Sequence, residues 1–328
     1  MRGQCIVRAM IKAAIVNDTG GKGHFGCDLV MARLREELTR AGGTEVWSHP
    51  VGVDWQPLEP QLLAHPPVDV VIVNGEGSIH HSATRPRARY LPAMGPFAKN
   101  RLNARTFLIN ATICDIDQSV ADDLKAFDAI FVRDDGSRRA LAEYGLTSRV
   151  VADLTLGASL PLADKREGVG VTDSVLGDAA ADLAKLAIQN GWNSQVMHDR
   201  KRAKSGATSF WSRFGRGKHN DDFGSFARFL SSHKLIVTGR YHTVTMCIAT
   251  RTPFVALESN TPKISWLLDG LFGNNRRLIE ASALQSLSAE QYATWAEQER
   301  EAIETAVAAA RTGASEMFRE ICATPTRN

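Results

Sequence analysis

The sequence predicts an α/β protein made of two Rossmann-like halves, each a parallel sheet wrapped by helices. Two observations carry this. Short aliphatic and β-branched runs alternate with stretches of helical spacing, the pattern of repeated βα units. The alternation also halts over residues 157–167 (GASLPLADKRE), a stretch with the composition of an interdomain connection, and restarts at Val169. A chain of 328 residues with 44% hydrophobic residues exceeds what one core usually holds, which agrees with two domains.

In the first half, Ile11 to Val16 reads as a strand. It is followed by the loop TGGKGHFGCD and a helix in which Val30, Met31, Leu34, Leu38 and Ala41 recur at helical spacing, with Asp28 at its N-cap position. The loop lacks the spacings of a dinucleotide fingerprint or a P-loop, although its glycines allow close backbone approach to a ligand. Val46 to Val51 is a second strand. Val68 to Asn74 (VDVVIVN) is nearly continuous in β-branched residues, as central parallel strands are. It is expected to stop at Gly75-Glu76-Gly77-Ser78, a turn lining the crevice, with Ser78 capping the next element. His80 and His81 then belong to a solvated loop, one that could serve in acceptor binding, rather than a metal site, since no carboxylate or Cys stands at ligand spacing. A basic stretch comes next, with Arg85, Arg87, Arg89, Lys99, Arg101 and Arg105. Thr106 to Ala111 and Phe127 to Val132 are further strands, the first followed by a helix over 117–126. Arg133 stands at the second strand's end, either as a ligand group or in an ion pair with Asp134, Asp135 or Asp153. A helix from Arg138 to Tyr144, closed by Gly145, and the run Val150 to Asp153 complete this half.

The second half opens with a strand from Val169 to Thr172 and a helix capped by Asp173 or Ser174 that runs to about Ile188. A strand from Gln195 to His198 precedes the segment Asp199 to Asp222, where Arg200, Lys201, Arg202, Lys204, Arg213, Arg216 and Lys218 are interleaved with Phe210, Trp211 and Phe214. Such a segment suits a flap over an anionic substrate or a contact with anionic lipid headgroups. After a helix from Phe223 to Ser232 come a strand (Leu235 to Thr238), the turn at Gly239, and Arg240-Tyr241-His242 entering a helix. A strand from Pro253 to Leu257 and a helix opening at Pro262-Lys263 complete the pattern. Helix N-termini at the carboxyl ends of parallel strands point N–H groups at anions, so Arg240, His242 and Lys263 lie where an acidic small molecule would be held. Beyond Glu280 one helix from Ser288 and another through Cys322 read as surface cover. The predicted organisation is a domain over 1–157, a second over 168–285, and C-terminal helices over 286–328.

A net charge of +3 is too mild to imply a nucleic-acid partner. The five cysteines are scattered and odd in number, as expected of reduced, cytoplasmic thiols. No apolar run approaches the roughly 18 to 20 residues of a membrane span, and MRGQCIVRAM is too broken by polar residues for a signal peptide. The expectation is a cytoplasmic protein that touches the inner face of the membrane, if at all, through 199–222.

Four stretches together resemble the polysaccharide pyruvyl transferase family: HFGCDLV; VDVVIVNGEGSI; FDAIFVRDDGSRRALAEYG with VVAD after it; and VTGRYHTVTMCIATRTPFVALESNTPK. The third and fourth are the specific ones. The resemblance implies two facing domains of GT-B type and transfer of pyruvate from phosphoenolpyruvate to a sugar hydroxyl pair, forming a ketal on a polymeric or lipid-linked saccharide. It places Arg240 and His242 at the phosphoenolpyruvate site and matches Arg133 and Asp28 to further motif positions. The second half is then the donor side and the first half the acceptor side. Glu76 departs from the family's usual glycine. Phosphoenolpyruvate carries a carboxylate and a phosphate, which Arg133, Arg240 and Lys263 would hold. His242 would protonate C3, Asp28 would act as base or orient the acceptor, and Gly75, Glu76 and Ser78 would line the substrate. This scheme needs no metal and no cofactor beyond phosphoenolpyruvate as donor. Two other functions fit the same halves: a GT-B glycosyltransferase using a nucleotide sugar, and a non-catalytic module binding anionic polymer or nucleic acid through 199–222.

Overall fold

The computed structural model describes residues 10–199 and 220–323. The core of the segment 199–222, and with it the expectation of a flap or lipid contact, lies outside the described residues. Among the described residues, ten strands form two wholly parallel sheets. The first holds β1 (Ile11–Asp18), β2 (Gly43–Pro50), β3 (Val70–His80), β4 (Arg105–Cys114), β5 (Ala129–Val132) and β6 (Arg149–Val150), in the order β2-β1-β3-β4-β5-β6. The second holds β7 (Val169–Ser174), β8 (Asn193–Gln195), β9 (Leu235–Gly239) and β10 (Phe254–Ala256), in the order β10-β9-β7-β8. The strand order reverses between β1 and β3 in one sheet and between β7 and β9 in the other. Such a switch point opens a crevice at the carboxyl ends. Residues at both crevices, Thr19 and Gly77 on one side and Val175 and Arg240 on the other, line one cavity, so the two carboxyl edges face each other.

The halves share core. The helix Phe25–Arg40 buries Val30, Met31 and Leu34 against the first sheet, while Phe25 and Leu29 pack with Phe226, Leu230 and Val244 of the second half. The helix Glu297–Ile321 spans roughly 37 Å at 1.5 Å per residue. Its Ile303, Val307 and Ala310 join the second half's core, and Ala314, Met317 and Phe318 join the first half's. This is one continuous helix of 25 residues, preceded by the short turn Ala289–Tyr292, where one helix from Ser288 and another through Cys322 were expected. The buried Arg277 pins its start. The guanidinium donates to both Glu299 carboxylate oxygens and to the carbonyls of Phe254, Tyr292 and Thr294, and stacks on Trp295.

Four local expectations are corrected. β3 does not stop at Gly75: it runs through Ser78 to His80, with a break in its pairing to β4 between Glu76 and Ile79, so Ser78 caps no helix. Its extra length buries His80, which is no solvated loop residue. The N-cap of the first helix is His24, whose Nδ1 accepts from the Cys27 N–H at 3.2 Å, and Asp28 lies in the first turn. The helix Gly177–Asn190 has no side-chain cap; Ser174 Oγ accepts from Leu176 N–H, and Asp173 turns to Arg240.

Candidate active site

The cavity between the two crevices has a volume of about 310 Å3. On the second half, Arg240 is the N-cap of the helix Tyr241–Ala249, held because its backbone N–H donates to Thr238 Oγ1 at 3.0 Å. Its guanidinium pairs with Asp173 at the end of β7, across the switch point, while its buried Nε has no partner among the described residues. His242 lies one residue inside that helix and is buried. Its Nε2 stands 3.6 Å from Asp153 Oδ2, an ion-pair distance beyond hydrogen-bond reach. Gly26 makes room for this ring: a Cβ there would sit 2.3 Å from His242 Cβ.

On the first half, Arg133 follows β5 and is fully buried. Nε donates to Thr112 Oγ1 at 2.8 Å, Nη1 to Asp153 Oδ2 at 2.8 Å, and the guanidinium lies 4.0 Å above the Tyr241 ring. Asp153 therefore sits between Arg133 of one half and His242 of the other. Burial alone would raise its pKa, but His242, Arg133 and the Thr155 hydroxyl outweigh it and hold the carboxyl well below the usual range. Burial also pushes the Tyr241 phenol well above its ordinary value.

Lys263 opens the helix Lys263–Phe272 and is buried, with Nζ donating to Asn260 Oδ1 at 3.1 Å. The nearby Glu258 carboxylate accepts instead from the backbone N–H groups of Ile264 and Ser265. Burial, and then the charges of Arg133 and Arg240, bring the Lys263 pKa down to about 8. A Cβ placed on Gly77 would lie 3.6 Å from Lys263 Nζ and 3.7 Å from Arg133 Nη2. Two cations from different halves thus converge over one bare stretch of β3.

Arg133, Arg240, His242, Lys263, Glu76 and Ser78 all line the cavity, whereas Asp28 and Gly75 do not. Asp28 accepts from the Gly21 N–H at 2.8 Å and so orders the glycine loop. Gly75 is a packing residue: a Cβ would meet Ala111 Cβ at 2.5 Å and the Ala111 backbone at 2.9 Å on β4. Glu76 has φ of +40°, a conformation that favours glycine, and its carboxylate accepts from Thr19 Oγ1 at 2.5 Å and Asn74 Nδ2 at 2.9 Å. Sequence reasoning named Gly77 in the turn lining the crevice, but did not assign Asp153, Asp173 or Asn260 to the site. Asp153 was visible as a strand-end acid, but its place beside His242 joins residues 89 positions apart.

His24, Cys27 and His242 bring ligand-capable atoms within 4.8 Å of one another. While His24 Nδ1 accepts from the Cys27 amide, the neutral ring carries its proton on Nε2 and offers a metal no lone pair. The Cys27 thiol meanwhile donates to Glu76 Oε2 at 3.2 Å. The set is better suited to hydrogen bonding than to holding an ion.

A family model described as polysaccharide pyruvyl transferase matches residues 24–261. No curated protein sequence matches the chain. Among solved structures, the UDP-GlcNAc 2-epimerase of Methanocaldococcus jannaschii, in complex with UDP-GlcNAc and UDP, superposes with a TM-score of 0.58 at 10% identity, covering 94% of this chain and 100% of that one. An α,α-trehalose-phosphate synthase (UDP-forming) from Burkholderia vietnamiensis gives 0.54 at 10% identity, over 95% and 96%. The UDP-GlcNAc 2-epimerase of Neisseria meningitidis gives 0.52 at 12% identity, over 95% and 99%. At these identities the likeness concerns the fold, which is that of the two-domain GT-B enzymes and their epimerase relatives.

Proposed function

The chain belongs to the polysaccharide pyruvyl transferase family, and from that membership we propose that it transfers pyruvate from phosphoenolpyruvate to two hydroxyls of a saccharide, polymeric or lipid-linked, and closes a cyclic ketal. The observation that carries this reading is the convergence of Arg133, Lys263 and Arg240 with His242 on one cavity. A donor bearing both carboxylate and phosphate needs several cations at fixed positions, and an enol needs a proton donor beside them.

In this scheme Lys263 and Arg240 hold the phosphate and carboxylate, and the buried Arg133 fixes Asp153. His242, as imidazolium supported by Asp153, gives its proton to C3 of the enol and makes C2 electrophilic. An acceptor hydroxyl adds to C2 and returns a proton to the now neutral His242. The C2–O bond to phosphate then breaks, the second hydroxyl adds, and its proton leaves with phosphate or solvent. One residue thus serves as acid and then base. Asp28, directed at Gly21, has a loop-ordering role here and not the base role. The scheme calls on no metal.

The nearest competing reading is a nucleotide-sugar transferase, favoured by the UDP-GlcNAc held by two structural neighbours. Thermal unfolding with phosphoenolpyruvate or UDP-GlcNAc separates the two. A ligand at about 100 times its dissociation constant adds about 2.7 kcal/mol, a shift of several degrees. Stabilisation by phosphoenolpyruvate that is lost in Arg240→Ala is expected. Stabilisation by UDP-GlcNAc alone would overturn the donor assignment.

A further inference from the structure

A second cavity of about 250 Å3 opens beside the first and shares its Gly77, Ser78 and Arg87, adding Thr84, Arg85 and Pro86. Its charge is uncompensated. The ion pairs of the basic stretch around it belong to Arg89, with Asp117 at 2.6 Å, and Arg101, with Glu59. Among the described residues neither Arg85 nor Arg87 reaches a carboxylate within ion-pair distance. Arg85 is steadied differently: Nη1 donates to His80 Nε2 at 2.6 Å. A guanidinium has no acceptor, so that nitrogen must offer a lone pair and the imidazole must be neutral. Burial, then the charge of Arg85, keeps His80 neutral by bringing its pKa down to about 4. A neutral partner orients the Arg85 fork without cancelling its charge.

Two like charges at one cavity call for a ligand with paired oxyanion oxygens, the chemistry guanidinium forks match best. We propose that this second cavity seats an oxyanion carried by the acceptor, a phosphoryl or carboxylate group held by Arg85 and Arg87, while the acceptor's hydroxyls reach past Gly77 and Ser78 into the first cavity. The inference rests on the donor reading above and adds that the acceptor is acidic. A neutral glycan lacking such a group is then a poor substrate.

The test is calorimetric titration of inorganic pyrophosphate, and separately of glucuronate, into protein saturated with phosphoenolpyruvate, so that the first cavity is filled. At least one probe binds, and Arg85→Gln and Arg87→Gln each weaken it about ten- to hundredfold, the worth of a charge-assisted contact. Pyrophosphate binding identifies a phosphoryl-linked acceptor, and glucuronate binding an acidic sugar. Thr84→Asp, an exposed change that places a carboxylate among the arginines without removing them, abolishes binding even if an arginine variant fails to fold. No binding of either probe, or binding untouched by these variants, overturns the proposal. If phosphoenolpyruvate itself fails to bind, the donor reading falls separately. The pyrophosphate titration is then made in Arg240→Gln protein, where dependence on Arg85 and Thr84 still decides the acceptor site.

Discussion

Lys263 is a cation that its own surroundings disfavour and an anionic donor would favour. Its pKa of about 8 against an ordinary 10.5 corresponds to about 3 kcal/mol by which the charged form, relative to the neutral amine, is less favourable in the folded protein than in the unfolded chain. Because the folded pKa lies below the unfolded one, the unfolded chain binds more protons between them, so this lysine's contribution to stability rises with pH. The penalty is complete below pH 8, shrinks from 8 upward, and has gone above 10.5. Other groups titrate in that range, so the quantity to measure is the difference between wild type and Lys263→Met, which keeps most of the aliphatic stem. Denaturant unfolding without ligand is expected to show Lys263→Met the more stable at pH 7, by up to about 3 kcal/mol, with the gap closing towards pH 10. Phosphoenolpyruvate must raise the Lys263 pKa if it binds there, so its affinity is level below pH 8. It falls by up to about tenfold per pH unit above, and in Lys263→Met this dependence disappears along with most of the binding. A pH-independent gap between the two proteins, or an affinity unchanged between pH 7 and 9, would refute the reasoning.

Other outcomes rest on the same geometry. His242→Ala should lower the transfer rate by about 10² to 10⁴ while phosphoenolpyruvate still binds; loss of binding with the rate at saturation unchanged would assign His242 to holding the donor. Asp153→Asn should destabilise by about 3 to 5 kcal/mol in denaturant unfolding, because it leaves the buried Arg133 guanidinium without its carboxylate. Gly75→Ala, whose Cβ meets the β4 backbone, should cost about 1 to 3 kcal/mol in denaturant unfolding and leave the phosphoenolpyruvate dissociation constant intact. Arg277→Met should destabilise by about 3 to 5 kcal/mol, because Glu299 and three carbonyls lose their buried partner.

The sheets were legible wherever a strand is central. Residues 70–74 and 235–238 are buried on both faces, so their sequence is an almost unbroken aliphatic run that a glycine closes. At β3 that glycine misleads, because Gly75 and Gly77 are not turn formers. Both serve close approach instead, Gly75 to Ala111 on the neighbouring strand and Gly77 to the two cations above it. Nothing local separates a glycine that bends a chain from one that admits a neighbour.

The cations of the site could be found one at a time because each stands at a strand end or helix start, positions that local pattern predicts. Their partners could not. Arg133 had three candidate acids in the sequence, and Asp153 is the one that the neighbouring strand end brings to it; Asp173 meets Arg240 because β7 and β9 lie side by side, and Asp153 meets His242 because the two sheets present their switch points to each other. That pairing also decides which positive charge is available. Arg133 and Arg240 each have a carboxylate, Arg85 has a neutral imidazole, and Lys263 has an amide oxygen. The chain carries 39 lysines and arginines against 36 acids, so composition describes a nearly balanced protein. Which cations stand without a carboxylate is seen only when each described one is matched with its own partner. Among the described residues, Lys263, Arg85 and Arg87 line the two adjoining cavities with no carboxylate at ion-pair distance, and an anionic donor and an acidic acceptor would supply the counter-charge there.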